Sequence, residues 1–158
     1  MKLVLVLVAA MVVPTLGQTS KTSSKVEIFT SQNIQAQLAE LLAKSKSSPH
    51  PTPNVKLGEY NTHFLRLVAL TADGGAEVHP HYDDVIVVIG GSATLVTGGA
   101  VVNPHTGNDG EIQGPSIQGG TSHKISHGDV AHIPAGTPHQ LLTGANGEFT
   151  AFVVKVKE

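Results

Sequence analysis

An all-β jelly-roll barrel preceded by one helix is the fold this sequence predicts, and three observations predict it. From Val55 onward the chain is a succession of short β-branched and apolar runs separated by Gly, Pro, Asn and Asp turns. Only one stretch, Ser31 to about Lys46, carries apolar residues at helical spacing. No internal sequence repeat is present, so residues 56–158 make a single barrel unit.

The elements follow in order. Met1-Lys2 leads into an apolar run ending at Val13, followed by Pro14-Thr-Leu-Gly17. One positive charge, roughly a dozen apolar residues and a small-residue end make residues 1–17 a secretory signal peptide, with cleavage after Gly17. The run is shorter than the roughly twenty residues a membrane span needs. The chain is therefore expected to be secreted or periplasmic and free of the membrane once the signal is removed. Residues 18–55 form an N-terminal extension. Gln18 to Lys25 is Ser/Thr/Lys-rich, Val26 to Phe29 has the makings of a short strand, and Ser31 reads as the N-cap of the helix. Ile34, Leu38, Leu41 and Leu42 form its apolar stripe, facing the barrel exterior or a partner subunit. Ser45 to Asn54, with Pro51 and Pro53, is a linker.

Within the barrel, Tyr60 to Leu70 alternates so that His63, Leu65, Leu67 and Ala69 share one face and Phe64, Arg66, Val68 and Leu70 the other. After the turn at Thr71 to Gly75 comes a strand from Glu77 to His81. Val85 to Val96 is β-branched and broken by Gly90-Gly91, which predicts two strands hinged by a bend or one bulged strand. Asn103 to Gly120 is a long Gly/Asn/Pro loop of the kind that borders a site. Val130–Ile133, Gln140–Leu142 and Glu148–Lys157 complete the strands.

Composition bounds the function. There are 12 acidic residues against 10 Lys and Arg, and Arg66 is the sole arginine. With neither a basic patch nor abundant aromatics, a nucleic-acid partner is not expected. The absence of Cys removes disulfides, thiolate metal sites and Cys nucleophiles. The nine histidines remain as the chemistry-bearing residues. Two segments concentrate them: Glu77-Val-His79-Pro-His81-Tyr-Asp83-Asp84, and Gly128-Asp-Val-Ala-His-Ile-Pro134-Ala-Gly136-Thr-Pro-His139. Imidazoles and carboxylates brought together by hairpins are what a transition-metal ion requires. A His-x-His pair is a weak signal, but the spacing G-x5-P-x-G-x2-H arises by chance in roughly one such chain in two hundred.

Together the segments resemble the paired motifs of the cupin family, G-x5-H-x-H-x3-4-E-x6-G and G-x5-P-x-G-x2-H-x3-N, across residues 56 to 157. The second motif matches through His139, with Thr143 where the family has Asn. In the first, Asp84 to Gly91 keeps the E-x6-G spacing with Asp in place of Glu. Upstream, two registers stay open. His79 and His81 form the His pair one residue too close to Asp84, or His79 is the second ligand and Glu77 replaces the first His. On a strand Glu77, His79 and His81 share a face in either register.

The resemblance implies a double-stranded β-helix holding one divalent transition metal ion (Fe, Mn, Zn, Ni or Cu). Its implied ligands are His79, His81, Asp84 and His139, with Glu77 the alternative first ligand, and Glu77 or His132 the acid/base. It also implies a homodimer. The expected function is that of an exported metal-dependent enzyme acting on a small oxygenated organic substrate, of dioxygenase, lyase, decarboxylase or isomerase type. The rival is a non-catalytic barrel that binds a metal or small molecule. Arg66 reads either as a clamp for a substrate carboxylate or as a structural cation. His50, His105, His123 and His127 fall on loops and surface positions.

Overall fold

The computed structural model describes residues 25–50, 52–145 and 147–158. Residues 1–17, expected from the sequence to be a signal peptide, and nearly all of the following polar stretch lie outside the described residues. Among the described residues no helix is long and apolar enough to cross a membrane.

Among the described residues one α-helix, α1 (Ser31–Ser47), precedes the strands. Its N-cap is Thr30 rather than Ser31: the Thr30 backbone is extended and its hydroxyl accepts from the Asn33 N–H at 3.3 Å. Leu38 and Leu41 are buried, and with Ile34 and Leu42 they cover Leu67, Ala69, Val55, Leu57, Ile89 and Phe152. The helix thus seats its apolar stripe on the outer face of the sheet. Leu38→Ala should cost about 2–5 kcal/mol in a denaturant titration. At the exposed Gln35, Gln35→Ala should stay within about 0.5 kcal/mol. Equal effects would mean the helix is not seated there. Val26 to Phe29 forms no strand, and Val26 and Ile28 are 82% and 80% exposed. β-Branched residues alone do not make a strand where no sheet edge pairs with them. This segment is tied down instead by Tyr60, whose hydroxyl donates to the Glu27 carboxylate.

The barrel strands are β1 (Asn54–Glu59), β2 (His63–Leu70), β3 (Ala76–Val78), β4 (Tyr82–Thr97), β5 (Ala100–Val101) and β6 (His105–Thr106). They continue with β7 (Ile112–Gly114), β8 (Ile117–Gln118), β9 (Thr121–Ser126), β10 (Val130–Ile133), β11 (His139–Leu142) and β12 (Phe149–Lys157). All the strand pairs are antiparallel. β4 is the strand common to both walls. Its first part, to Gly91, pairs with β12 and β10, and its second part, from Ser92, pairs with β9 and β11. Gly90 and Gly91 are where it changes partners, with a register shift opposite Thr150 and Ala151. One bulged strand is therefore present where the sequence left a hinged pair open. The apolar core gathers inward-facing residues of both walls, including Leu70, Ile86, Val88, Leu95, Ile125, Ile133, Phe149 and Val153.

Two sequence expectations change here. The long loop is partly ordered, since β6, a 3-10 turn at Asn108–Gly110, β7 and β8 lie within it. Thr121–Ser126 is a strand although, apart from the buried Ile125, its residues are polar and exposed. A strand with one solvated face can carry polar residues in abundance, so hydrophobic patterning does not reveal it.

Candidate metal centre

The site forms where β3 meets its neighbours. In the antiparallel β3–β11 ladder His139 stands directly opposite Glu77. On the other side β3 pairs with β7, Val78 against Ile112, so the next residues along, His79 and Glu111, face each other. One ligand atom from each of Glu77, His79 and His139 lies within 4.8 Å of the other two. His79 and His139 are buried and Glu77 is partly exposed. The His79 and His139 rings lie 5.1 Å apart.

Both imidazoles are oriented by their Nδ1 atoms. His79 Nδ1 donates to Glu111 Oε1 at 2.7 Å, and His139 Nδ1 donates to the Thr137 carbonyl at 3.0 Å. With a carboxyl oxygen and a carbonyl as the partners of Nδ1, the neutral form of each ring holds its proton on Nδ1 and turns Nε2 inward. His79 Nε2 is buried without a hydrogen-bond partner, 3.4 Å from Glu77 Oε2. Two inward Nε2 lone pairs and one carboxylate fit a divalent ion. The second motif holds the geometry from behind. Its Pro134–Gly136 turn donates the Gly136 N–H to the His79 carbonyl at 2.9 Å and the Ala135 N–H to Asp83 Oδ1 at 2.7 Å. Gly136 has φ +74°, a conformation that favours glycine.

Asp84 is buried and faces the same space, its Oδ2 lying 3.6 Å from His79 Nε2 and 3.5 Å from His139 Nε2. It is also committed to Lys155. Directly opposite it on β12, the Lys155 ammonium approaches Oδ1 to 2.6 Å and Oδ2 to 2.8 Å. Asp84 thus stands as the partner of a buried cation beside the three-residue cluster. His81 is exposed and lies outside that cluster. β3 ends at Val78 and the chain turns through Pro80 and His81, so the single row of Glu77, His79 and His81 is interrupted. Pro80 lacks the N–H that would continue the ladder. His132 also lies apart. It is 57% exposed and its Nε2 pairs with Asp83 Oδ2 at 3.0 Å on the outer face, which does not suit it to an acid/base role in the interior.

Electrostatics set the protonation pattern. Burial alone would raise the Glu77 carboxyl, but His79, His139 and Lys155 outweigh it and hold the group down at about 2. For His79 burial works against the charged ring, and the Glu77 and Asp84 carboxylates prevail, raising its pKa. His139 goes the other way, pushed down chiefly by burial. Lys155 is likewise lowered by burial, with Asp84 opposing. Asp83 is lowered by His132 and the Ala135 N–H.

The cluster opens into a cavity of about 290 Å³. Polar residues Arg66, Glu111, Gln113 and Lys155 and apolar residues Val68, Leu70, Ile86, Leu141 and Val153 share its walls. Gln140 clamps the wall in place, donating to the Gly74 and Pro115 carbonyls at 2.8 and 3.2 Å and accepting from the Ile117 N–H at 3.2 Å. Glu111, Gln140 and Lys155 were not singled out by sequence. Only Lys155 had a usable signal: on β12 it alternates in phase with Phe149, Ala151 and Val153.

No protein-family model matches the sequence, and no curated protein matches it significantly. Solved structures do share the fold. An uncharacterized conserved protein with a double-stranded β-helix domain from Klebsiella pneumoniae is 18% identical, with a TM-score of 0.54 over 84% of this chain and 91% of that one. The TT1209 protein of Thermus thermophilus is 17% identical, with a TM-score of 0.56 over 84% and 98%. The DMSP lyase DddQ of Ruegeria pomeroyi is 17% identical, with a TM-score of 0.51 over 71% of this chain. The present chain spans half of that lyase's length.

Proposed function

We propose that this chain, whose fold is the cupin double-stranded β-helix, holds one divalent transition metal ion on Glu77, His79 and His139 and is an enzyme acting on a small oxygenated organic molecule. The observation that carries this reading is the pair of inward Nε2 atoms beside Glu77, each fixed by an Nδ1 hydrogen bond, at the wall of a cavity. A divalent ion there supplies Lewis acidity toward a substrate oxygen. The protein's own part is to keep both imidazoles in the ligating tautomer through Glu111 and the Thr137 carbonyl. Glu77 stays ionised, and the apolar wall limits the water around the reacting group. The DMSP lyase neighbour supports an enzymatic role for such a barrel without indicating the substrate.

Protein purified without added metal and then loaded should take up about one equivalent, measured by elemental analysis. His79→Ala and His139→Ala should each lose it. Glu111→Gln should keep the fold and weaken metal affinity about 10–100-fold, because the partner that orients His79 no longer carries charge. Equally low metal in wild type and in both histidine variants would end the reading. Absence of turnover in metal-replete protein, assayed by oxygen uptake and proton release over diketones, flavonols and keto acids, would leave a binding protein. Export belongs to the same reading. The intact mass of protein recovered outside the cytoplasm should correspond to a chain starting at Gln18, and a mass retaining residues 1–17 would argue against it.

A further inference from the structure

The sole arginine of the chain sits in the wall of this cavity, and among the described residues no acid pairs with it. On β2, Arg66 stands opposite Val153 of β12 and shares the inward row with Val68 and Leu70. Its Nε is buried and has no hydrogen-bond partner. Among the described residues the contact made by its guanidinium is with the Phe64 ring, 5.2 Å from the ring centroid. That contact engages the charge and leaves the in-plane donors unused. Arginine cannot escape by losing its proton, as a buried lysine can. Burying a donor without a partner is unfavourable, and more so when the group is charged. Lys155, nearby in the same cavity, has Asp84. Arg66 has no such partner among the described residues.

The charge balance of the cavity points the same way. Its walls carry the carboxylates of Glu77, Asp84 and Glu111 and the cations Arg66 and Lys155, which leaves one net negative charge. A divalent ion on the cluster turns that into one net positive charge, which a single anionic group neutralises. The apolar side chains of Leu70, Ile86, Leu141 and Val153 suit an organic body better than an inorganic ion. At about 290 Å³ the cavity is at the small end of ligand sites, which run from about 300 Å³ upward.

We propose that Arg66 is a substrate-binding residue that takes the carboxylate of a small organic monoacid. The charge balance, though not the unpartnered guanidinium, rests on the metal reading above. A guanidinium fork offers two parallel N–H donors to a carboxylate, and an amide of the same shape cannot accept them as an anion does.

Because Arg66 is the only arginine, its Nε–H gives a single assignable signal in a nitrogen–proton correlation spectrum. Zinc-loaded protein is titrated with propionate, 2-hydroxypropionate, 2-oxobutyrate and benzoate, and with the corresponding amides. At least one acid should shift that signal saturably while its amide does not. Arg66→Lys should weaken the calorimetric affinity for that acid about ten-fold or more at unchanged zinc content, since lysine keeps the charge and loses the fork. The proposal falls if no acid moves the signal, if the amides move it as far, or if Arg66→Lys binds the acid as tightly as wild type. Zinc stoichiometry is measured on the same samples. A chain that takes no zinc refutes the metal centre, whereas the acid-versus-amide contrast in zinc-free protein still decides the role of Arg66, at weaker affinity.

Discussion

Lys155→Met lowers the stability of the metal-free protein by about 3–5 kcal/mol, the cost of leaving a buried carboxylate without its counter-ion. The Asp84 and Lys155 side chains are only 6% and 4% exposed, and they stand directly opposite each other between β4 and β12. Methionine approximates the shape of the lysine stem, so little of the loss comes from packing. Urea unfolding of the single variant and of the Asp84→Asn/Lys155→Met pair measures the coupling. The double variant should recover most of the loss, since no uncompensated charge then remains buried. A single variant within about 1 kcal/mol of wild type, at unchanged denaturant slope, would show that the Asp84 carboxylate does not depend on Lys155 as its counter-ion.

Gly91→Ala has an effect of similar size by a different route. Gly91 has φ +72°, and a Cβ built on it would lie 1.8 Å from the Glu148 carbonyl oxygen. The left-handed backbone and the forced displacement each cost about 1–3 kcal/mol, so the variant should lose about 2–6 kcal/mol. Because this residue is the corner at which β4 passes from one wall to the other, both walls are strained at once. Gly98→Ala is the control: it has the same φ, yet nothing lies within 4 Å of its added Cβ. It should pay the backbone penalty alone. Thermal melts of the two variants separate the terms, and equal losses would mean that the approach of Glu148 is relieved at no cost.

The barrel and the placement of its central residues were legible because both rest on local rules. Alternation put Arg66 in the row with Val68 and Leu70, and the P-x-G spacing put His139 at the start of β11. The E-x6-G spacing put Asp84 at the position of the family's carboxylate, and Asp84 does face inward. Legibility stopped where one residue decides a turn. Pro80 ends the row before His81, although the alternation rule would have carried His81 inward. His132 obeys alternation as well, but its strand runs along the edge of β4 with that face toward solvent. Lys155 shares the face of Phe149, Ala151 and Val153 by alternation, but nothing local to β12 shows that a buried carboxylate stands opposite it. Glu111 gave no local signal at all. Its partner is 32 residues away and is reached only through the pairing of β3 with β7.

That origin of Glu111 has a thermodynamic consequence. The carboxylate that aligns His79 comes from the segment between β6 and β7, just after a 3-10 turn in which Asp109 has φ +56°. If loading the centre tightens the hold of His79 on Glu111, then by linkage a ligand that binds better to the tightened loop raises metal affinity by the factor by which the metal raises its own. A substrate leaning on Glu111 or Gln113 would retain the ion more firmly while it is present, and its departure would loosen both. On the proposed metal reading, the fraction of chain loaded at a given metal concentration would then rise with the concentration of such a ligand.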